Sequence, residues 1–108
     1  MTYALRFLTE VEEDAIASYE WYEQKVPGLG EEFLRVFYAC AGELAHNPFL
    51  YPKVLGEFRR RLVRRFSYAI YFGVEGNEII VFGLFHCARA PYTIRRRLQN
   101  RDKPKSSQ

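Results

Sequence analysis

Apolar residues recur at helical spacing through the first half of the chain. From Val11 to Val26 they stand four, four, three and four positions apart, which predicts one face of an α-helix. A second series, from Phe33 to Leu44, has a similar rhythm. A Pro-Gly pair separates the two series, and an Asn-Pro pair ends the second one. The short break between them predicts an antiparallel helix hairpin.

Strand-like segments flank this hairpin. Residues 3–8 form a short, mostly apolar run before the first helix, and residues 57–66 read as a strand dense in arginine. Two further apolar segments, 68–74 and 78–86, have Gly76-Asn77 at the turn between them. A Gly-Asn pair between apolar runs is a signal for a two-residue β-hairpin turn.

The turn sets the register of its two strands, and the register decides which side chains share a face. With Glu75 opposite Glu78, one face is predicted to pack on the helices through Val74 with Ile79, Phe72 with Val81, Ile70 with Gly83, and Tyr68 with Phe85. The second face is predicted to hold Gly73 with Ile80, Tyr71 with Phe82, Ala69 with Leu84, and Ser67 with His86. Because both main helices lie on one side, this second apolar face is expected to be exposed to a partner. In the alternative interpretation, a C-terminal helix carrying Ile94 and Leu98 folds back over part of it.

The chain is expected to form one α+β domain over residues 1–98. Its predicted order is an N-terminal strand, an antiparallel helix hairpin, three antiparallel strands and a short C-terminal helix. Residues 99–108 are expected to be a flexible, basic and polar tail. The length of 108 residues and the hydrophobic content of 48% suit one folded core.

Cysteine content and hydropathy bear on the cellular compartment of the protein and on membrane contact. Cys40 and Cys87 do not make a disulfide framework, and no segment resembles a signal peptide. No apolar run approaches the roughly 18 residues that a membrane span needs. We therefore expect a cytoplasmic protein without membrane contact, metal or cofactor.

Charge is distributed unevenly along the chain. Residues 1–35 hold eight acidic and three basic side chains, whereas residues 36–108 hold five acidic and thirteen basic ones. A basic surface suits nucleic acid or an acidic protein partner, and an uneven but passive surface is the alternative. Composition does not decide whether the chain binds free nucleic acid directly. The arginine-rich strand is charged on both faces, so alternation does not say which face packs.

Several local motifs resemble the RelE/ParE toxin superfamily. "YEQKVPGLGEEFL" is similar to the helix-hairpin signature of its ParE-like members, and "NPFLYP" is similar to the segment that closes the second helix. "RRLVRRFSYAIYFGVEGNEIIVFGLFHCARAP" is similar to the family's arginine-rich strand, tight turn and last strand ending in His-x-x-Arg. The resemblance covers residues 1 to about 98 and includes the same order of strands and helices.

The resemblance implies the toxin of a bacterial type II toxin–antitoxin system. Such a toxin halts growth until a small antitoxin, here expected to carry an acidic segment, neutralises it. ParE-like members of the family inhibit DNA gyrase, whereas RelE-like members cut messenger RNA in the ribosome without a metal. The ribonuclease branch uses lysines and arginines on the open face of the sheet, aided by a C-terminal tyrosine.

The basic residues of the ribonuclease branch are only partly present. Matching basic positions are Arg60, Arg64 and Arg89. Leu62 and Ala69 replace basic residues, and Arg95 stands near the position of the catalytic tyrosine. A metal-free RNA cut needs a base, a cation against the phosphate and an acid for the leaving oxygen, so each departure removes transition-state stabilisation. The predicted register puts Ala69 on the same face as His86. The resemblance therefore favours a non-catalytic, ParE-like inhibitor of a target such as gyrase.

Two alternatives stay open beside this one. The first is a ribosome-dependent, metal-independent mRNA endoribonuclease whose catalytic set is Arg60, Arg64, His86 and Arg89. The second is a protein-binding remnant without toxicity. Residues expected to contact an antitoxin or a target are Trp21, Arg61, Tyr71, Phe82, Leu84, Arg89, Tyr92 and Arg95. For His86, the competing interpretation is a strand-end residue that bonds the backbone and holds the turn.

Overall fold

The computed structural model describes residues 2–102 of the chain. Its elements, in chain order, are β1 (Ala4–Phe7), α1 (Thr9–Lys25), α2 (Leu29–Leu44), a 3-10 turn (Pro48–Leu50), β2 (Lys53–Leu55), β3 (Phe58–Leu62), β4 (Tyr68–Glu75), β5 (Glu78–His86) and α3 (Pro91–Arg101). The predicted α+β class and order of elements are confirmed, and β2 is an additional strand. The arginine-rich strand is shorter than predicted. It ends at Leu62, and the chain then turns through Arg65, whose φ of 68° lies in the left-handed region.

The five strands form one mixed sheet in the order β1-β5-β4-β3-β2. β1 pairs with β5 in parallel, and the other neighbouring strands are antiparallel. Parallel pairing requires a crossover connection, and the helix hairpin begins that crossover by packing on one face of the sheet. β5 is the strand beside β1, and it is buried from Ile79 to Phe85. Burial on both faces explains why this strand reads as a nearly continuous apolar run.

One glutamate organises the Pro-Gly-Leu-Gly break between α1 and α2. The Glu23 carboxylate accepts hydrogen bonds from the backbone N–H groups of Gly28 and Gly30, at 2.8 and 2.9 Å. It thereby places negative charge at the positive end of the α2 dipole. Gly28 has a φ of 89°, which glycine adopts without strain, and a side chain at Gly30 would collide with the backbone oxygen of Tyr19. Both glycines are therefore required by the tight hairpin.

The hairpin packs on one face of the sheet and forms the larger core. Phe33, Phe37 and Leu44 of α2 are fully buried in it. They share this cluster with Ile70 and Phe72 of β4. Burying each such side chain contributes roughly 1.5–3 kcal/mol before the entropy of ordering is subtracted. The predicted helix-facing side of β4 is confirmed.

α3 covers the opposite face of the sheet. Its Ile94 and Leu98 are buried in a second core cluster. The buried sheet residues of this cluster are Ala69, Tyr71, Ile80, Phe82 and Phe85. The expectation of an open apolar face is therefore wrong, and the alternative in which the C-terminal helix covers it is confirmed. The apolar stripe of α3 matches the apolar face, so burying both surfaces is more favourable than exposing both to water.

A β-bulge changes the predicted register of the β4–β5 hairpin. The pairing is as predicted from the turn through Phe72, and it then shifts so that Tyr71 faces Gly83, with Phe82 as the extra residue. A side chain at Gly83 would overlap the Phe85 ring, so the bulge requires glycine there. The predicted pairs beyond the bulge are wrong: Ile70 with Gly83, Tyr68 with Phe85, Tyr71 with Phe82, Ala69 with Leu84, and Ser67 with His86. The observed pairs are Ile70 with Leu84, Ala69 with Phe85, and Tyr68 with His86.

The bulge moves the last residues of β5 to the face opposite from the predicted one. Leu84 packs in the core on the helix-hairpin side, and Phe85 packs in the core under α3. His86 stands opposite Tyr68 on the hairpin side, whereas Ala69 lies under α3. The expectation that Ala69 and His86 share a face is therefore wrong, because one inserted residue reverses the alternation.

The end of α3 is anchored to α1. α3 continues to Arg101, past the boundary predicted for the folded domain. Arg101 donates hydrogen bonds to both carboxylate oxygens of Asp14, at 2.7 and 3.1 Å, and to the Phe82 carbonyl at 2.9 Å. The Asp14 carboxylate also accepts the Leu84 N–H at 3.1 Å. Since β1 pairs only with the first half of β5, these contacts satisfy the part of the β5 edge that β1 leaves uncovered. The rest of the predicted tail, 103–108, lies outside the described residues.

Candidate partner-binding surfaces

Exposed arginines on the α3 side of the sheet form a basic face. Its members are Arg60, Arg89, Arg95, Arg96 and Arg97. Within residues 2–102, none of these side chains lies within 4.0 Å of a carboxylate. Arg89 stacks over the Phe85 ring and Arg96 over the exposed Tyr92 ring, each at 5.6 Å. Stacking orients the guanidinium groups and leaves their charge available to a partner. The predicted contact residues Arg89, Tyr92 and Arg95 are all exposed, just before α3 or in its first turns.

Successive side chains of β3 point to opposite faces of the sheet, so its arginines are divided between the two faces. Arg61 points to the hairpin side, where it donates to Glu43 at 2.6 Å and to the Tyr51 hydroxyl at 3.1 Å. Its side chain is only 10% exposed. Arg60 pairs opposite Tyr71 and is exposed on the α3 side. The predicted contact residue Arg61 is thus engaged within the fold, and Arg60 is the member of the pair that a partner can reach.

The two arginines that follow β3 pair with acids of α2. Arg64 donates to both oxygens of Glu43, at 3.1 and 3.2 Å, and Arg65 pairs with Glu32. Hydrogen bonds lower the pKa of Glu43, and the one from Arg61 has a larger effect than the one from Arg64. Acids of α2 therefore pair with three arginines of the segment 57–66, and Arg60 of that segment contributes to the basic face.

A shallow aromatic hollow lies at the hairpin side of the β5 end. Trp21 is exposed there, and its ring meets the His86 ring edge to face at 6.5 Å. His86 also contacts Tyr68 at 5.2 Å, and its Nδ1 accepts the Ala88 N–H at 3.0 Å. Burial raises the pKa of the adjacent Tyr22 hydroxyl. This hydrogen bond to the Ala88 backbone agrees with the interpretation of His86 as a residue at the end of a strand that bonds the backbone and holds the turn.

Three of the predicted contact residues are inside the fold. Tyr71 and Phe82 lie buried under α3, and Leu84 is buried on the hairpin side. Their predicted exposure is wrong, because α3 covers one face and the bulge turns Leu84 to the other.

The residues of the ribonuclease alternative do not converge on one surface. Arg60 and Arg89 lie on the α3 side, His86 lies on the hairpin side, and Arg64 is paired with an acid of α2. Leu62 stands exposed on the same face as Arg60, so a neutral side chain follows Arg60 on that face. The four side chains therefore lie at three separate places on the structure.

Asp14 and Arg101 were not among the predicted functional residues, although they join three elements. They are separated by 87 positions, so no local pattern links them. The one local signal is that Arg101 follows Ile94 and Leu98 by seven and three residues, which puts it on the buried stripe of α3. A basic residue on an apolar stripe predicts a buried acidic partner.

Within residues 2–102, no helix has the length and apolar composition that crossing a membrane requires. The same stretch holds no group of three or more His, Cys, Asp or Glu side chains placed to bind a metal ion.

Comparison with known proteins rests on the fold. By sequence, the chain matches no protein-family model and no curated protein. By structure, it shares its α+β fold with a solved protein. A solved structure described as the chromosomal ParDE TA system from P. aeruginosa superposes on it with a TM-score of 0.72 at 17% sequence identity. The similarity covers 79% of this chain and 96% of that chain.

Proposed function

We propose that this chain is the toxin component of a bacterial type II toxin–antitoxin system, neutralised by a cognate antitoxin in the cytoplasm. The observation that carries the proposal is the fold, which matches a chain of a ParDE TA system with a TM-score of 0.72. The motifs of the helix hairpin and of the last strand support the same assignment independently of the superposition.

The basic face is the surface proposed for an acidic segment of the antitoxin. Arg60, Arg89 and Arg95 present positive charge without a carboxylate partner among residues 2–102. The exposed Tyr92 ring adds apolar contact area beside them. Complementary charge steers association, and aromatic and arginine side chains are typical anchors of protein interfaces.

Growth inhibition is proposed to occur by binding a target such as DNA gyrase. Support comes from the neutral Leu62 and Ala69 at positions where the ribonuclease branch carries cations, and from His86 lying on the opposite face from Arg60. Metal-free cleavage needs its acid, base and cation within hydrogen-bond reach of one phosphodiester. Ribosome-dependent cleavage of messenger RNA and a non-toxic protein-binding remnant are the two alternatives against which this proposal is tested.

The test is expression of this chain alone in bacteria, with growth and pulse-labelled protein synthesis followed over the first minutes. We expect cells to stop dividing while protein synthesis continues, and the purified chain to block DNA supercoiling by gyrase. A collapse of protein synthesis within minutes would favour the ribosome-dependent mRNA endoribonuclease instead. Normal growth with normal synthesis would leave only a binding module.

A matched pair of variants tests the basic face. The double variant Arg60→Gln, Arg89→Gln should weaken co-purification with the small protein encoded beside this chain. Arg35→Gln removes an exposed arginine from α2 and should leave co-purification unchanged. Equal effects of the two changes would move the antitoxin contact away from the basic face.

A further inference from the structure

The aromatic hollow at the end of β5 has no role in the proposed function. It has a volume of about 380 Å³. Four segments that are distant in the chain meet there, namely the end of α1, the start of α2, the connection from β3 to β4, and the end of β5. Its lining includes the rings of Trp21, Tyr22, Phe66 and His86, together with Arg65 and Ser67. A concave site of this size, with aromatic walls and a few polar groups, is typical of small-molecule binding.

Trp21 supplies a large ring that is held in place. It is 46% exposed, although an indole gains much by leaving water. The Tyr22 ring meets it edge to face with the ring centres 5.0 Å apart, and the Lys25 ammonium lies 4.4 Å from its centre. These contacts restrict the rotation of the indole before a ligand arrives. A flat apolar surface that is already oriented can bind another flat ring with little loss of entropy.

Two cations stand beside the aromatic walls. Lys25 makes no ion pair with any side chain of residues 2–102. Arg65 lines the hollow, and its guanidinium lies 5.8 Å from the centre of the Phe66 ring. Glu32 accepts a hydrogen bond from the Nη2 of Arg65, so the Nε and Nη1 groups keep their donors for another acceptor. The hollow is therefore suited to a ligand that carries an anionic group.

The backbone of Arg65 is a separate indication of function. Its φ of 68° lies in the left-handed region, and no other non-glycine residue of the described chain has a positive φ. This conformation costs roughly 1–2 kcal/mol for a residue with a side chain, and glycine would adopt it without strain. Strained residues are concentrated at functional sites. The chain thus keeps an arginine at the rim of the hollow where glycine would be easier to accommodate.

His86 offers a directed hydrogen-bond donor. Its Nδ1 accepts the Ala88 N–H at 3.0 Å, so the neutral ring carries its proton on Nε2. Within residues 2–102, no acceptor is bound to this second nitrogen. The exposed Ser67 hydroxyl can donate or accept beside it. These two groups can recognise the polar edge of a ring that stacks on the aromatic walls.

We propose that the aromatic hollow binds a free nucleotide, with its base stacked on Trp21 and its phosphate held by Lys25 and Arg65. Stacking of a base on an aromatic side chain contributes about 1–3 kcal/mol. Guanidinium and ammonium groups form charge-assisted hydrogen bonds with phosphate oxygens. His86 donates from Nε2 to an acceptor of the base or the sugar. The inference does not depend on the toxin assignment.

A nucleic-acid strand is a poorer occupant of this hollow than a single nucleotide. The helix that carries Trp21, α1, has six acidic residues and one lysine. Glu32 adds a further carboxylate beside Arg65. Each additional phosphate of a strand would bring negative charge toward these acids, and like charges repel. A single nucleotide instead places its phosphate at the two cations alone.

The first test uses the fluorescence of Trp21, which is the only tryptophan of the chain. The purified chain is titrated with AMP, adenosine and ribose 5-phosphate, with excitation at wavelengths that adenine does not absorb. AMP should quench the fluorescence with a dissociation constant below about 1 mM, and adenosine and ribose 5-phosphate should each bind at least about tenfold more weakly. Added salt should weaken the binding of AMP more than that of adenosine, because the two cations are exposed.

Variants locate the site. Arg65→Asn removes the guanidinium and keeps a residue that tolerates the left-handed backbone. It should weaken AMP about tenfold and leave adenosine unchanged. Arg96→Gln is the matched control, because Arg96 also stacks over an exposed aromatic ring, at 5.6 Å, but lies on the α3 side. Trp21→Leu, followed by calorimetry, should weaken AMP and adenosine alike. Thermal unfolding measured in parallel shows whether each variant is folded.

Four results would overturn the proposal. The first is the absence of saturable quenching by AMP, and the second is equal affinity for AMP and adenosine. The third is unchanged binding of AMP by folded Arg65→Asn and Trp21→Leu, or an equal loss in Arg96→Gln, since either would place the nucleotide elsewhere. The fourth concerns an adenine trinucleotide. Binding about tenfold tighter than that of AMP would assign the hollow to a nucleic-acid strand.

Discussion

Replacing Arg101 by methionine should destabilise the fold by about 3 kcal/mol. The side chains of Arg101 and Asp14 are only 11% and 12% exposed, and two hydrogen bonds of 2.7 and 3.1 Å join them. Methionine keeps much of the apolar volume but leaves the Asp14 carboxylate with the Leu84 N–H as its remaining hydrogen bond. It also leaves the Phe82 carbonyl without its arginine donor. An uncompensated buried charge and an unpaired carbonyl both oppose folding.

Urea unfolding followed by circular dichroism measures this loss. A change of about 3 kcal/mol corresponds to a fall in the melting temperature of roughly 12 °C for a domain of this size. Arg6→Met is the matched control, because Arg6 pairs with Glu78 at 3.2 Å with side chains 53% and 36% exposed. Exposed pairs contribute about 0–1 kcal/mol. The double variant Asp14→Leu, Arg101→Met should recover part of the loss, since it removes both buried charges.

The reasoning fails if Arg101→Met costs no more than the Arg6 control. That result would mean that water solvates Asp14 freely and that α3 is not anchored at this point. Amide exchange gives a local readout, because the Leu84 N–H donates to Asp14. In Arg101→Met this amide should exchange faster relative to the amides in the middle of β4. Uniform acceleration of all of them would indicate global destabilisation without a specific effect on the β5 edge.

Three further predictions concern the hairpin and β3. Arg61→Ala should cost about 1–2 kcal/mol because it removes the hydrogen bonds that this largely buried guanidinium donates to Glu43 and to the Tyr51 hydroxyl, whereas Arg60→Ala on the opposite face should stay within about 0.5 kcal/mol in the same urea experiment. The lowered pKa of Glu43 contributes stability that is present above the ordinary glutamate pKa and is lost as the pH falls below it. Glu43→Gln should therefore flatten the decline in the free energy of unfolding between about pH 5 and pH 2, and a decline identical to that of the unmodified chain would contradict this. Gly30→Ala should destabilise the chain by about 1–3 kcal/mol because a methyl group would collide with the Tyr19 carbonyl, and a neutral effect on the melting temperature would refute the close contact.

The helices and the main strands could be predicted because their signals are local. Apolar spacing, the Pro-Gly-Leu-Gly break and the Gly-Asn turn each act within a few residues of chain. β2 carried no such signal, because three residues from Lys53 to Leu55 form a strand only by pairing with β3. The coverage of the second face also follows from packing, since Ile94 and Leu98 on α3 meet the sheet only after the chain has folded back.

The β-bulge could not be predicted from alternation. Phe82 and Gly83 continue an apolar run without any polar residue to mark the inserted position. The bulge depends on the fit of Phe82 and Phe85 under α3 and on the Asp14 carboxylate that accepts the Leu84 N–H. Those partners are distant in the chain, so the faces of Leu84 and His86 were assigned wrongly although the turn and the first pairs were right.

The sequence by itself determined the α+β class, the helix hairpin, the strand order along the chain and the excess of arginine in the second half. Only the tertiary structure decided which arginines remain available to a partner. Arg61 and Arg64 share the single carboxylate of Glu43, and Arg101 is paired with Asp14. Each of these pairs joins positions far apart in the chain, so the composition gives the number of charges but not which of them form ion pairs. Folding brings the acids of α1 and α2 to particular arginines, and the charge that is left unpaired forms the basic face.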